Sequence, residues 1–171
     1  LAPGVNQVTV KNSTFKGQAG SLAIYLDAES QYNRIENNVF DVQTPSRELI
    51  AVDGSAHNVI SGNQFIHPKH GAIFLYRNCG EGGTIRHQTP SYNIISNNSF
   101  KLNRHLKQPV IWLGSRNGNR NYCDLDQGYA FGSSKSDLDY AEHNEVTQNQ
   151  LQLKKAKWYE FWLSWNRQEA I

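Results

Sequence analysis

Two short apolar runs end in an aspartate, "AIYLD" (23–27) and "LIAVD" (49–53), and a third, "AIFLYR" (72–77), ends in a tyrosine and an arginine. If these runs stack as neighbouring strands in register, Asp27 and Asp53 stand within about 5 Å of each other. Carboxylates that close raise one another's pKa, bind a cation or meet an arginine. Arg77 lies one strand further and one residue on, so an Asp/Asp/Arg cluster is one reading. A solvated row of strand-end acids is the other.

The same runs carry aromatic residues at their outward positions. If Ile24, Ile50, Ile73 and Ile111 point inward with Leu26, Val52, Leu75 and Leu113, alternation sends Tyr25, Ala51, Phe74, Trp112 and Trp162 outward. Slipping the register by one residue would bury Asp27 and Asp53, which fixes the choice. Phe74, Trp112 and Trp162 could form a platform for sugar rings. Alternatively, long loops or a second subunit simply cover them.

Two such loops exist. "YRNCGEGGTIRHQTPSY" (76–92) carries Tyr76, Arg77, Arg86 and His87, and the segment 114–143 carries Arg116 and the run "DLDQG". Loops this long are often functional, and arginines gathered there suit carboxylate or sulfate groups through paired N–H donors. "DLDQG" has the D-x-D-x-G form of a calcium loop without its distal glutamate. No metal site is therefore assigned and no cofactor is expected, with calcium the one candidate ion. Cys79 and Cys123, one in each loop, either form a disulfide or are two separate thiols.

The elements that must position these residues repeat. "NRIENNVF" (33–40), "NVISGNQF" (58–65), "NIISNNSF" (93–100) and "NEVTQNQL" (144–151) share an asparagine, an aliphatic residue, a second asparagine and a phenylalanine or leucine. Aligning the second asparagine gives Ser13, Asn38, Asn63, Asn98 and Asn149, spaced 25, 25, 35 and 51. The length between this motif and the following apolar run is nearly constant, so the irregularity collects at one corner, as in stacked-repeat proteins. The chain has 18 Asn and 13 Gly, residues that accept tightly turned backbone. The apolar runs are short, β-branched and alternating, which reads as strand. The expected fold is all-β: a right-handed parallel β-helix of about five rungs, one domain over 1–171, with loop insertions 76–92 and 114–143 at one turn. Asn38, Asn63 and Asn98 should form a buried ladder.

This pattern, N-x-[IV]-x-x-N-x-F followed by a short aliphatic strand, resembles the parallel β-helix repeats of polysaccharide lyases and mannuronan C5-epimerases over roughly residues 6–165. The resemblance implies an acidic, uronic-acid polysaccharide as substrate and lyase or epimerase chemistry. A cation neutralises the carboxylate, a base removes the C5 proton and an acid completes the step. In that scheme Arg77, with Arg116, neutralises the carboxylate; His87 or Tyr76 moves the proton; Asp53 supplies a carboxylate; and Phe74, Trp112, Trp162 and Arg86 hold the glycan. Arg77 resembles the arginine that follows one rung's strand in alginate lyases of the chondroitinase B type. Where their lysine follows the neighbouring strand, this chain has Gly54 and Ser55. The alternative reading is a non-catalytic carbohydrate-binding or tailspike-like adhesion module.

Other classes are disfavoured. A net charge of +2 is too mild to argue for nucleic acid. No apolar run approaches the roughly 18 residues of a membrane-spanning helix. A disulfide between the loops would fit a periplasmic or extracellular setting. The chain opens "LAPG" and has no Met, so it is expected to be part of a longer protein. Neither end reads as a polar cap, so the ends are expected to be covered either by sequence beyond this chain or by self-association.

Overall fold

The computed structural model describes residues 1–78, 85–103, 106, 108–114 and 140–154. No helix occurs among them. The strands are β1 (Thr9–Lys11), β2 (Thr14–Gln18), β3 (Ile24–Leu26), β4 (Arg34–Glu36), β5 (Val39–Gln43), β6 (Ile50–Asp53) and β7 (Val59–Ser61). They continue with β8 (Gln64–Ile66), β9 (Ile73–Tyr76), β10 (Ile94–Ser96), β11 (Ser99–Leu102), β12 (Ile111–Leu113), β13 (Glu145–Thr147) and β14 (Gln150–Leu153). They form three parallel sheets, ordered β1-β4-β7-β10-β13, β2-β5-β8-β11-β14 and β3-β6-β9-β12. The chain visits the three sheets in turn, an arrangement compatible with a β-solenoid.

The inward columns are those the alternation predicts. Ile24, Ile50, Ile73 and Ile111 are register partners and all buried, as are Leu26, Val52 and Leu75. Phe15, Phe40, Phe65 and Phe100 stack almost parallel, with centroids 4.7, 4.9 and 5.0 Å apart. Those distances are the strand spacing itself, so each ring simply rides its own strand.

Polar groups hold the corners. The ladder at Asn38, Asn63, Asn98 and Asn149 is present: each Oδ1 accepts the backbone N–H one circuit earlier at 3.0 Å, from Ser13, Asn38, Asn63 and Asn98. Each Nδ2 also donates to a carbonyl of the earlier circuit, as Asn63 does to Ile35 at 2.8 Å. A second ladder of the same kind runs through Asn33, Asn58, Asn93 and Asn144 and receives the N–H groups of Val8, Asn33, Asn58 and Asn93.

Before each ladder residue the backbone is left-handed. Gln7, Tyr32, His57, Tyr92 and His143 precede one ladder, and Asn12, Asn37, Gly62, Asn97 and Gln148 the other, with φ between 53 and 66°. That conformation costs a non-glycine residue roughly 1–2 kcal/mol. At the first corner the rings of Tyr32, His57, Tyr92 and His143 stack outside the corner at 4.9–5.0 Å, which offsets part of the cost.

Asn63 lies in the middle of its ladder and is buried. Asn63→Ala leaves the Asn38 N–H without its acceptor, and the variant should lose about 1–3 kcal/mol of unfolding free energy in urea titration.

Candidate functional site

The expected cluster of two aspartates and an arginine exists, but a different arginine completes it. Nη1 of Arg86 lies 2.9 Å from Oδ1 of Asp27 and 2.8 Å from Oδ2 of Asp53. Asp53 is wholly buried at the end of β6. Its Oδ1 accepts the Asn78 backbone N–H at 2.7 Å, and its Oδ2 accepts the Asn78 amide at 2.8 Å and the Tyr25 hydroxyl. Burial pushes the Asp53 carboxyl above the usual aspartate range, with Arg86 pulling the other way. Burial, and then the Asp53 charge, hold the Tyr25 hydroxyl well above its ordinary value.

Residues 85–88 run over the end of the β3–β6 face as an extended strap. Arg86 points into the protein and is buried while Ile85 and His87 are exposed, so the strap alternates like a strand. Gln88 fastens it. Its backbone N–H donates to Oε1 of Glu29 at 2.7 Å, and its side-chain amide donates to the carbonyls of Ser30 and Gly54 at 2.9 and 3.1 Å. Gly54 has φ +58, and a Cβ there would stand 3.1 Å from the Gln88 carbonyl, so both the turn and the close approach of the strap favour glycine at that point.

Three expectations are corrected. Arg77 is not presented at the edge of an open strip. It is only 2% exposed and donates from Nη1 to the carbonyls of Arg86 and His87 at 3.3 and 3.2 Å. Counting from inward Leu75, alternation turns Tyr76 out and Arg77 in, so its guanidinium supports the strap from beneath. Asp53 and Arg86, expected to supply a carboxylate and to hold the glycan, are buried against each other. Phe74 occupies the outward column but is also buried, its ring packed so close to Gly71 that a Cβ there would lie 2.3 Å away.

Tyr76 is committed as well. Its hydroxyl donates to Oε1 of buried Glu48 at 2.7 Å and accepts from Nη2 of Arg47 at 2.5 Å. Arg47 grips Glu48 through Nε and Nη2 at 3.2 and 3.0 Å. Burial, then the Glu48 charge, raise the Tyr76 hydroxyl far above its normal pKa, so it stays protonated at neutral pH. Sequence reasoning missed the Arg47–Glu48 pair, although "RELI" sets both residues just before Leu49 and inward Ile50.

Trp112 keeps an open surface. It is 44% exposed, edge-on to Phe74 at 5.4 Å between centroids and 72° between planes. Its six-membered ring lies against Gly114, where a Cβ would come within 2.8 Å. Arg116, Trp162, Cys79, Cys123 and the run "DLDQG" lie outside the described residues, as does most of the segment 114–143. No group of three or more potential metal ligands occurs among the described residues, and no helix among them is long and apolar enough to cross a membrane.

No protein-family model matches this chain, and it has no match among curated proteins or solved structures.

Two outcomes test the cluster. Arg86→Ala leaves two carboxylates, one of them fully buried, without their cation and should cost about 3–5 kcal/mol in chemical denaturation. The raised Asp53 carboxyl makes the folded state hold its proton more tightly than the unfolded chain does. Asp53 thus contributes stability that is full below the ordinary aspartate range and is lost as pH rises through its raised value. Asp53→Asn should flatten that part of a stability-against-pH series.

Proposed function

We propose that this chain is a right-handed parallel β-helix of about five rungs that binds an acidic polysaccharide at Trp112 on the outward face of its third sheet without cleaving it. The observation that carries this reading is Trp112, half open and braced against Phe74 and Gly114 on the third sheet. An indole held this way offers an apolar surface to a sugar ring at little entropic cost. Tyr76, on the neighbouring strand β9, and Glu48, just before β6, fix the partly exposed guanidinium of Arg47. Its Nη1 donates no hydrogen bond among the described residues and is available to donate to a uronate carboxylate.

Of the groups that lyase or epimerase chemistry would use, Arg77, Arg86, Tyr76 and Asp53 are engaged within the protein, and His87 is exposed. Arg77 and Arg86 are buried in the strap contacts, and Tyr76 is a hydrogen-bonded, protonated phenol. One observation favours the enzymatic reading as a second possibility: the raised Asp53 carboxyl in contact with the Tyr25 hydroxyl is a paired acid and hydroxyl of the sort that moves protons. That reading requires Arg86 to leave both aspartates when substrate binds. An extracellular or periplasmic location accords with a glycan partner.

Calorimetric titration with alginate, pectate and chondroitin tests the proposal. One of the three should bind, and Trp112→Ala should weaken it roughly tenfold, about 1.4 kcal/mol, with the melting temperature nearly unchanged. Growth of ultraviolet absorbance from an unsaturated product, or a change in uronate configuration by NMR, would replace the binding reading with the enzymatic one. Absence of binding to all three polymers would remove both.

A further inference from the structure

Three exposed large apolar side chains lie together on the outward face of the first sheet. Tyr32 and Tyr92 are 52 and 53% exposed and Ile94 is 38% exposed, with half-buried His57 and Val59 beside them. Strands β4, β7 and β10, which carry or directly follow these residues, each lie between two described strands of the same sheet. Neither end of the stack therefore creates this exposure. The face is also flat. Phenylalanine rings of successive circuits are rotated by only 5–10°, so each circuit lies almost squarely on the last. A contiguous apolar patch of this kind marks a contact with another surface.

The rows of this face are complementary to their own reversal. Along the stack the first outward column runs Arg34, Val59, Ile94 and Glu145: a cation, two aliphatic side chains and an anion. The second column runs Glu36, Ser61, Ser96 and Thr147. At the adjoining corner the stacked rings alternate Tyr32, His57, Tyr92 and His143. Reversing the order sets Arg34 against Glu145, Val59 against Ile94, Ser61 against Ser96 and each tyrosine against a histidine. Glu145 is exposed and meets no cation among the described residues, while Arg34 is half exposed in a surface pair with Glu36.

We propose that two copies of this chain dock through this face about a two-fold axis running parallel to the strands, between β7 and β10. That operation sets β4 of one copy against β13 of the other, and β7 against β10. Arg34 then faces Glu145 twice, and Val59 packs on Ile94 twice at the centre. Each tyrosine hydroxyl meets an imidazole of the other copy and donates to its free nitrogen. Ser61 and Ser96 are small, which lets the two faces approach to the roughly 10 Å usual between packed sheets. A patch that meets itself closes on two copies and grows no further. The third sheet, with Trp112 on β12, takes no part in the contact.

Sedimentation velocity and light scattering of the 171-residue chain over a range of concentrations test this. The unaltered chain should pass from monomer to dimer and stop there. Ile94→Lys, at a position already exposed, should leave a monomer whose melting temperature is nearly unchanged. Arg34→Glu alone and Glu145→Arg alone each place like charges opposite each other twice, and each should weaken the dimer at least tenfold. Both reversals in one chain should restore it, because the opposed charges are then exchanged rather than matched. The Arg34–Glu36 pair is a surface ion pair, so losing it costs the fold little. A monomer at every concentration, or a dimer indifferent to Ile94→Lys, would overturn the proposal. Growth beyond a dimer, or failure of the double reversal to recover what the single ones lose, would overturn the two-fold arrangement.

Discussion

The fold depends on one recurrent bond, the buried asparagine amide that accepts a backbone N–H from the circuit before it. A chain that turns from one parallel sheet to the next must leave peptide groups inside the bend, and a buried N–H without an acceptor costs about 1–3 kcal/mol. Eight asparagines solve this at two corners; seven of the amides also donate to a backbone carbonyl and the eighth, Asn58, to the Ser55 hydroxyl, so both ends of each are engaged. The left-handed residue ahead of each one aims the amide inward. Without these amides the apolar columns would still seek burial, but nothing would hold successive strands in a single register.

The polar contacts on the third sheet follow the same logic at larger charge. Arg86 lies between two carboxylates, Arg77 supports the strap from below through its carbonyls, and Glu48 is held by Arg47 and Tyr76. Each ionised group that leaves water meets a counter-charge or a hydrogen bond, as burial demands. The strap therefore belongs to the protein's interior as much as to its surface, and the open chemistry of the third sheet contracts to Trp112 and its polar neighbours.

The columns Ile24–Ile50–Ile73–Ile111 and Phe15–Phe40–Phe65–Phe100 were legible in the sequence because period-2 alternation and a repeated spacing report on every strand. The ladder at Asn38, Asn63 and Asn98 was legible for the same reason. The first ladder was visible as a repeated letter, yet nothing in its spacing said that its amides also turn inward. Arg77 was misplaced by treating it as part of the outward strip, although counting on from Leu75 turns it inward. Arg86 lies on a strap whose path depends on Gln88, Glu29 and the carbonyls of Ser30 and Gly54, contacts between residues up to 59 positions apart. No local pattern encodes such contacts.

The two amide ladders also set a ruler. Within every circuit the first and second asparagines are five residues apart, from Asn33 to Asn38 as from Asn144 to Asn149, while the distance between equivalent asparagines grows from 25 to 35 to 51. Length is thus measured across one stretch of each circuit and left unmeasured elsewhere. Lineages carrying this scaffold could lengthen the corner after the third sheet freely, because the next amide meets its partner whatever chain has looped out between. A single residue gained or lost between the paired amides would throw one column out of step with the other. Novelty in such a molecule is therefore channelled to one flank, and the opposite flank is held to the letter.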